Sequence, residues 1–264
     1  MTKEIMQFAK TELENELNTI KDWLDFDEDF KNNFINQLAG LGFTSPKKED
    51  VFNAFKLFKP NETKVLILGQ DPYTENSGKA DGCAFSVKNN AEDASLLNIY
   101  KAIKVYQYKE NNLSKTFKSI NKEINWKTDL KIWAENEKVL LLNTALTHSG
   151  TDKSVIKNHR EAWEPFIFHI LAKLLNSKNK NKLVVFLWGK HAQATFLNAL
   201  QAMGKQDPDK CYLTRRMILM TSHPSNTGGS VYLGFSEDAP IHFKACDDFL
   251  KSDIWKGIDK YLKK

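Results

Sequence analysis

Four short runs of wholly apolar residues constrain the fold of this 264-residue chain more than any other feature. Each run has the length of a strand, and none alternates apolar with polar residues. A strand of this kind is buried on both faces, as in a parallel sheet that helices cover on each side. We therefore expect four buried strands, at Val65–Leu68, Val139–Leu142, Leu183–Leu187 and Met217–Met220.

Helical periodicity fills the segments before and between these runs. Apolar residues recur at three- and four-residue spacing within residues 1–58, and again at Leu96–Tyr108, Trp163–Leu175 and Ala192–Met203. Alternating strands and helices predict an α/β fold, here three α/β/α layers around a central four-stranded, mostly parallel sheet. We expect one domain over residues 1–264, with a helical N-terminal part at 1–58 and an α/β core at 59–264.

Composition excludes membrane and secreted classes of protein. No apolar run approaches the ~18 residues of a membrane span, and the first residues lack a basic stretch followed by an apolar one. The three cysteines form no C-x-x-C pair, so we expect free thiols, with Cys83 and Cys246 as small core residues. These features predict a cytoplasmic protein without membrane contact.

The basic charge of the chain is unevenly distributed. Net charge is +5, and the stretch from Lys101 to Lys131 holds eight lysines against three acidic residues. Arginine occurs only at positions 160, 215 and 216. Lysine binds phosphate as a point charge and lacks the fork that reads guanine. The stretch is therefore either a surface that holds a nucleic-acid backbone with little sequence preference or a solvated face.

Polar side chains that can do chemistry follow the strands. The segments that leave the four strands are Gly69-Gln70-Asp71-Pro72-Tyr73, Asn143-Thr144, Trp188-Gly189-Lys190-His191 and Thr221-Ser222-His223-Pro224-Ser225. In open parallel sheets, ligands bind just outside the carboxyl ends of the strands. We therefore expect Asp71, Tyr73, Asn143 and His223 to share one crevice.

Several common chemistries lack their residues. The spacing from Gly69 to Lys79 is too long for a P-loop, and Ala80 stands where magnesium needs Ser or Thr. The chain has no G-x-S-x-G turn and no metal-ligand spacing of histidines, so we expect neither a metal nor a cofactor. The histidines outside the crevice are expected at the surface or in packing, namely His148, His159, His169, His191 and His242.

The remaining crevice residues suit electrostatic catalysis on a neutral ring. Asp71 can stabilise a developing cation or orient a water, and His223 can donate a hydrogen bond to a developing anion. The Asn143 amide offers a donor and an acceptor side by side, which match one edge of a nucleobase.

Five blocks of sequence follow one another in order over residues 50–250. They are Gly69-Gln70-Asp71-Pro72-Tyr73 with Gly82-Cys83-Ala84-Phe85-Ser86-Val87, Ser95-Leu96-Leu97-Asn98-Ile99-Tyr100-Lys101, Trp133-Ala134-Glu135 with Val139–Thr147, Leu187-Trp188-Gly189, and Ser222-His223-Pro224-Ser225. Together they resemble family 1 of the uracil-DNA glycosylase superfamily. The resemblance implies excision of a flipped-out uracil from DNA, leaving an abasic site, without a cofactor.

The resemblance also implies a role for each site residue. Asp71 would orient the hydrolytic water and stabilise the sugar cation, and His223 would hydrogen-bond the uracil O2 as charge leaves on the base. Asn143 would read the base edge. Phe85 would stack on the base, Tyr73 would exclude thymine at C5, and the Gln70 backbone would touch O2. The serines that would bind phosphates are Ser95, Ser222, Ser225 and Ser230.

The chain departs from the family pattern in its DNA-binding loops. Glu92-Asp93-Ala94 replaces a proline-rich segment, and a longer, glycine-rich segment replaces the final loop, whose leucine fills the gap left by the flipped base. We expect Tyr232 to take that wedging role, because a ring can also stack on neighbouring bases. The alternative is an enzyme that prefers single strands, in which unstacking costs least.

Two other functions stay open. One is a related glycosylase directed at another modified base or a particular form of DNA, and the other is a DNA- or base-binding module with little catalysis. The expected partner in each case is DNA, and for a glycosylase it is uracil-containing DNA, single- or double-stranded. Acidic proteins that mimic DNA are the expected inhibitors, and we expect a monomer.

Overall fold

The predicted sheet is present in a computed structural model, which describes residues 5–74, 78–88, 93–108, 129–176, 181–206, 215–225 and 234–258. Its strands are β1 (Val65–Gly69), β2 (Val139–Asn143), β3 (Leu183–Trp188) and β4 (Arg216–Thr221). They lie in the order β2-β1-β3-β4, and every neighbouring pair is parallel. The prediction of a central parallel sheet is confirmed.

Helices cover both faces of this sheet. The described residues after β1 include α4 (Ala94–Tyr108), α5 (Lys131–Glu137), α6 (Lys153–Leu175), α7 (Lys190–Gln206) and α8 (Phe235–Leu250). The crossover from β1 to β2 runs toward one edge of the sheet, whereas those from β2 to β3 and from β3 to β4 run toward the other. Right-handed crossovers therefore place α4 and α5 on one face and α6 and α7 on the opposite face. The contacts agree, because α4 packs on α8 and α6 packs on α7.

The N-terminal part is helical, as predicted. It contains α1 (Lys10–Thr19), α2 (Glu28–Ala39) and α3 (Asn53–Lys56), with single 3₁₀ turns at Lys21–Trp23, Lys48–Asp50 and Pro60–Glu62. Asp27 begins α2, because its carboxylate accepts the Phe30 N–H at 2.7 Å and so satisfies one open donor of the first turn.

This N-terminal part shares its core with the α/β part. Phe34 of α2 stacks on Phe166 of α6 with ring centroids 5.4 Å apart, and Phe55 of α3 meets the same ring edge-on at 5.5 Å. The buried apolar residues form one cluster that extends from Phe8 to Ile258. A common core of this kind supports our proposal of a single domain.

The fourth strand differs from its prediction. Strands β1, β2 and β3 are buried along their whole length, but β4 is only partly buried and Met220 is 40% exposed. Within the described residues β4 pairs with β3 alone and so forms the edge of the sheet. The expectation of burial on both faces was wrong for β4, because an apolar run does not reveal which strand lies outermost.

The ends of the strands place polar residues at one edge of the sheet. Gly69, the last residue of β1, is in register with Asn143, the last residue of β2, and Trp188 of β3 is in register with Thr221 of β4. The carboxyl ends of all four strands therefore lie side by side. Among the helices of the described ranges, none has the length and apolar character that crossing a membrane requires.

Candidate active site

A cleft of about 390 Å³ lies at the carboxyl ends of the strands, within the size range of small-molecule sites. All six residues predicted to act on the base or its sugar line it, together with Ser95. The full lining is Gly69, Gln70, Asp71, Pro72, Tyr73, Thr74, Ala80, Gly82, Cys83, Phe85, Ser95, Asn143, His148 and His223. Residues up to 154 positions apart in sequence thus meet in one cavity.

Asp71 carries the carboxylate of this cleft and lies just beyond β1. The Arg160 guanidinium, from α6, binds it at two points: Nε donates to Oδ1 at 3.0 Å and Nη2 to Oδ2 at 2.5 Å. The Gln70 side-chain amide also donates to Oδ2, at 3.0 Å. The side chain of Asp71 is 13% exposed and that of Arg160 31% exposed, so the pair lies at the boundary between the protein and solvent.

Asn143 is buried, and the absence of a side chain at Gly69 makes room for it. A Cβ atom at Gly69 would lie 2.4 Å from Asn143 Oδ1 and 2.8 Å from the Ala84 Cβ. Both distances are shorter than real Cβ contacts allow. Glycine at the end of β1 therefore permits the neighbouring amide to enter the cleft.

The main chain that carries Gln70 and Asp71 is tied to the end of β2. The Gln70 carbonyl accepts the N–H groups of Thr144 and Ala145, each at 3.1 Å, and the Thr144 hydroxyl at 2.8 Å. That hydroxyl lies 2.7 Å from Nε2 of His191, which lies in the first turn of α7. Since Thr144 donates its proton to Gln70, His191 must donate to Thr144. This chain of hydrogen bonds fixes the loops after β1, β2 and β3 relative to one another.

Phe85 forms an aromatic wall of the cleft with a left-handed backbone, at φ 62°. That conformation costs an L-residue about 1–2 kcal/mol, so the surrounding fold must hold it in place. Its ring lies 5.4 Å from Trp188 and 5.8 Å from His223, measured between centroids.

Tyr73 lies on the same side of the cleft as part of a half-buried turn. Its hydroxyl is 3.5 Å from the Phe85 carbonyl, and its own carbonyl accepts the Ser45 hydroxyl at 2.6 Å. Burial raises the pKa of the Tyr73 phenol, and the nearby Asp93 carboxylate raises it further. The ring is therefore a neutral and well-anchored wall.

His223 follows β4, and Ser225 sets the tautomer of its ring. The Ser225 N–H donates to His223 Nδ1 at 3.2 Å, and the Ser225 hydroxyl lies 2.8 Å from the same atom. Because Nδ1 accepts a backbone N–H, the proton of the neutral ring is on Nε2. Burial lowers the pKa of His223, while the Asp93 carboxylate partly opposes this. The neutral ring therefore carries its donor at Nε2.

Glycine also makes room for this histidine. Gly189, after β3, has φ +94°, and a Cβ there would lie 3.1 Å from the His223 Cβ. The loop that carries His223 is held from the other side by Asn98 of α4, which donates to the Pro224 carbonyl at 2.8 Å.

The predicted phosphate-binding serines are only partly described. Ser95 lies in the first turn of α4 and lines the cleft, and its N–H donates to the Asp93 carboxylate at 2.9 Å. Ser225 is exposed beside His223, and Ser222 precedes it. Ser230 and Tyr232 lie outside the described residues.

The histidines predicted to lie at the surface or in packing divide into two groups. His169 packs on Phe26, with centroids 4.5 Å apart, and His159 is buried with Nδ1 2.9 Å from the Thr147 hydroxyl. His148, in contrast, lines the cleft and donates from Nε2 to the Gly150 carbonyl at 2.7 Å. His148 is nevertheless buried, as a packing residue would be, and its position in the loop after β2 brings it back over the carboxyl edge.

Arg160 is the site residue that sequence reasoning missed. It lies 89 positions from Asp71, in a helix whose sequence shows only which residues face the core. The available signal was its rarity, because it is one of three arginines among 38 basic residues.

Chemically, the cleft combines the carboxylate of Asp71, the side-chain amides of Gln70 and Asn143, the imidazoles of His148 and His223, and two aromatic walls. Within the described ranges, no group of three or more His, Cys, Asp or Glu residues has the arrangement of a metal site. The groups present can orient a water, stabilise opposite charges at two ends of a breaking bond, and hydrogen-bond the edge of a planar ring.

Comparisons with known proteins agree with this arrangement. Residues 55–230 match the Uracil DNA glycosylase superfamily. A uracil-DNA glycosylase of Haemophilus influenzae (strain PittEE) is 36% identical over 222 residues, which is 81% of this chain and 83% of that protein. One of Mannheimia succiniciproducens is 40% identical over 221 residues, or 82% of each chain.

Solved structures give the same fold. Mimivirus uracil-DNA glycosylase superposes with a TM-score of 0.63 at 24% identity, covering 93% of this chain and 86% of its own. A mimivirus variant in complex with UGI superposes with a TM-score of 0.59 at 21% identity, covering 93% and 85%.

Proposed function

Because the chain belongs to the uracil DNA glycosylase superfamily, we propose that it hydrolyses the N-glycosidic bond of a uracil flipped out of DNA. The products are free uracil and an abasic site. The observation that carries the proposal is the convergence of Asp71, Asn143 and His223 on one cleft at the carboxyl ends of the strands. A base must leave the stack to reach such a cleft, since its glycosidic bond is inaccessible inside the duplex.

His223 stabilises the leaving base. Cleavage of the bond leaves negative charge on the uracil ring, and a hydrogen bond from Nε2–H to O2 strengthens as that charge develops. The bonds from Ser225 to Nδ1 orient the ring before the reaction, so little reorganisation is needed. The Gln70 backbone contributes to recognition of O2, and its place in the cleft lining supports this role.

Asp71 stabilises the other end of the breaking bond. The sugar gains positive charge as the base departs, and an adjacent carboxylate lowers the energy of that cation and orients the attacking water. His223 and Asp71 thus stabilise the opposite charges of one transition state. With the negative charge of the leaving base stabilised by a hydrogen bond, the reaction needs no general acid.

Base selection lies with the remaining groups. Asn143 donates and accepts along one edge of uracil and would meet a mismatched pattern on cytosine. Phe85 stacks on the ring face, and Tyr73 occupies the space that the thymine methyl group would need. A buried hydrogen-bonding group rejects the wrong partner more strictly than an apolar wall does.

The remaining parts of the proposal concern the partner and setting of the enzyme. Uracil-containing DNA, single- or double-stranded, is the substrate, and Ser95, Ser222, Ser225 and Ser230 bind its phosphates, with Tyr232 as the wedge. The protein acts as a cytoplasmic monomer, and acidic proteins that mimic DNA inhibit it. The complex of a mimivirus relative with UGI supports the last point.

The test is an excision assay on labelled oligonucleotides that carry uracil, a thymine–guanine mismatch or another modified base, with chelator present and alkali to cleave abasic sites. Asp71→Asn and His223→Ala should each lower turnover by at least ~10²-fold, the scale of one electrostatic catalytic group. Asp152→Asn is the control, because that carboxylate caps α6 outside the cleft. Excision of another base in preference to uracil, or binding without excision, would replace the proposal with one of its alternatives.

A further inference from the structure

The ion pair between Asp71 and Arg160 occupies most of the carboxylate that the proposed reaction uses. A carboxylate has about four lone-pair sites. On Oδ2, two of these sites accept hydrogen bonds from Arg160 Nη2 and from the Gln70 amide. On Oδ1, one site accepts a hydrogen bond from Arg160 Nε. One site on Oδ1 remains for a water.

The pair also opposes the electrostatic part of the reaction. A cationic sugar gains stability from a negative charge that is not already neutralised. A guanidinium at hydrogen-bond distance cancels much of the field that Asp71 exerts on a neighbouring cation, because the two opposite unit charges of a close pair act on a third charge with opposite signs. The arrangement in the free protein is therefore unsuited to the chemical step as it stands.

We propose that Arg160 is a DNA-binding residue that exchanges partners: it holds Asp71 in the free protein and a phosphate flanking the flipped nucleotide in the complex. The inference rests on the proposed function, because it takes Asp71 as the carboxylate that faces the sugar. The exchange frees Asp71 only when a nucleotide is in place.

Covalent geometry brings the phosphate to Arg160. The sugar carbon that faces Asp71 is joined to the two flanking phosphates through a few bonds. A nucleotide seated with that carbon at Asp71 therefore brings a phosphate within reach of the Arg160 side chain, which is 31% exposed and so has room to turn.

The chemistry of the guanidinium suits both partners. Its planar fork matches a carboxylate and a phosphate equally well, with two parallel hydrogen bonds in each case. Among the three arginines of the sequence, only Arg160 is placed for this task. Arg215 and Arg216 lie at the amino end of β4, and Arg216 donates to the carbonyls of Leu174 and Asn181 there.

The test pairs Arg160 variants with substrates that lack one charge. Single-turnover excision and KM are measured on a uracil oligonucleotide and on two versions in which the phosphate on the 5′ or the 3′ side of the deoxyuridine is a neutral methylphosphonate. The variants are Arg160→Gln, which removes the charge, and Arg160→Lys, which keeps the charge without the fork. Lys157→Gln is the matched control: it removes one charge a turn earlier on α6, where Lys157 is 71% exposed and pairs with Glu161.

If Arg160 exchanges partners in this way, the effect of removing its charge should depend on the charge of one of the two flanking phosphates. Wild type should lose about tenfold to a hundredfold in kcat/KM when that phosphate is neutral, the range of one charge-assisted hydrogen bond. Arg160→Gln should lose a similar factor on the unmodified substrate and little more on the neutral one. Arg160→Lys should recover part of the loss, and Lys157→Gln should keep the wild-type sensitivity.

Two results would overturn the exchange. The first is that the loss in kcat/KM from Arg160→Gln multiplies with the loss from methylphosphonate at both the 5′ and the 3′ phosphate. Arg160 would then hold neither flanking phosphate. If Arg160→Gln excises faster than wild type on every substrate, Arg160 is only an inhibitory counterion. Failure of the proposed function is distinct, because wild type would then release no uracil at all. In that case, fluorescence anisotropy would measure the affinity of wild type and Arg160→Gln for the same oligonucleotides. It would show whether the effect of the Arg160 charge on affinity depends on the charge of a flanking phosphate.

Discussion

Adding a single methyl group at Gly69 should weaken base recognition without replacing any of the predicted site residues. In Gly69→Ala, the new Cβ would lie 2.4 Å from Asn143 Oδ1, 2.8 Å from the Ala84 Cβ and 3.5 Å from the Phe85 ring. The first two distances are too short to persist. Ala84 lies in a buried segment whose N–H donates to the Leu141 carbonyl at 3.0 Å, so the Asn143 amide must move instead.

Gly69→Ala should lower both the folding stability and kcat/KM, and the size of each loss can be worked out from the structure. Overpacking of a buried position costs about 1–3 kcal/mol of folding stability. Displacement of Asn143 removes its hydrogen bonds to the base, which are worth roughly 1–3 kcal/mol and correspond to a tenfold to hundredfold loss in kcat/KM. Both losses should occur together, and discrimination between uracil and cytosine should weaken with them.

The assay combines urea denaturation with excision kinetics on uracil and cytosine oligonucleotides. Gly40→Ala is the control, because Gly40 follows α2 with a right-handed backbone and a Cβ there has no neighbour within 4 Å. Unchanged kcat/KM in Gly69→Ala, at a stability equal to that of Gly40→Ala, would refute the steric reasoning.

Three further predictions concern selectivity, acid stability and the wedge. Asn143→Asp should admit cytosine and Tyr73→Ala should admit thymine, with the larger relaxation for Asn143; a wild type that already excises either base as fast as uracil would contradict both assignments. Burial lowers the pKa of His159 to about 4 from its usual 6.5, so its contribution to stability is complete above pH 6.5 and is lost as the pH falls toward 4. The denaturation free energy of His159→Gln should therefore fall less steeply over that window, by about 3 kcal/mol. Parallel curves for the two proteins would exclude this origin of acid sensitivity. Tyr232→Ala should slow excision from duplex DNA several-fold more than from single strands, and equal effects on both substrates would favour the single-strand alternative.

Much of the fold could be read from the sequence because buried parallel strands leave a local signal. The runs that became β1, β2 and β3 are apolar at every position, and their burial follows directly. The run that became β4 looks the same, yet its edge position depends on strand order, which is a property of the whole sheet. Local patterns therefore predicted that strands exist and did not predict which strand is outermost.

The candidate site, too, could be predicted from the sequence only in part. The placement of Asp71 and Asn143 on one cleft follows from their position after parallel strands. The ion pair between Asp71 and Arg160 does not, because helical periodicity indicates the buried face of α6 and says nothing of which loop lies opposite its polar face. The role of Ser225 in setting the His223 tautomer likewise depends on a turn geometry that the residue types alone do not specify.

The order of the strands in the sheet also determines when the site is completed during synthesis. β1 leaves the ribosome first and lies inside the sheet; β2 and β3 then add on its two sides, and β4 joins last at the edge. A nascent chain that ends before β4 carries the carboxylate and the amide of the cleft but lacks its imidazole, His223. Unfinished or truncated chains would thus lack the group that stabilises the leaving base, together with the proposed DNA contacts at Ser222 and Ser225, and full activity would begin only when the C-terminal third has been added.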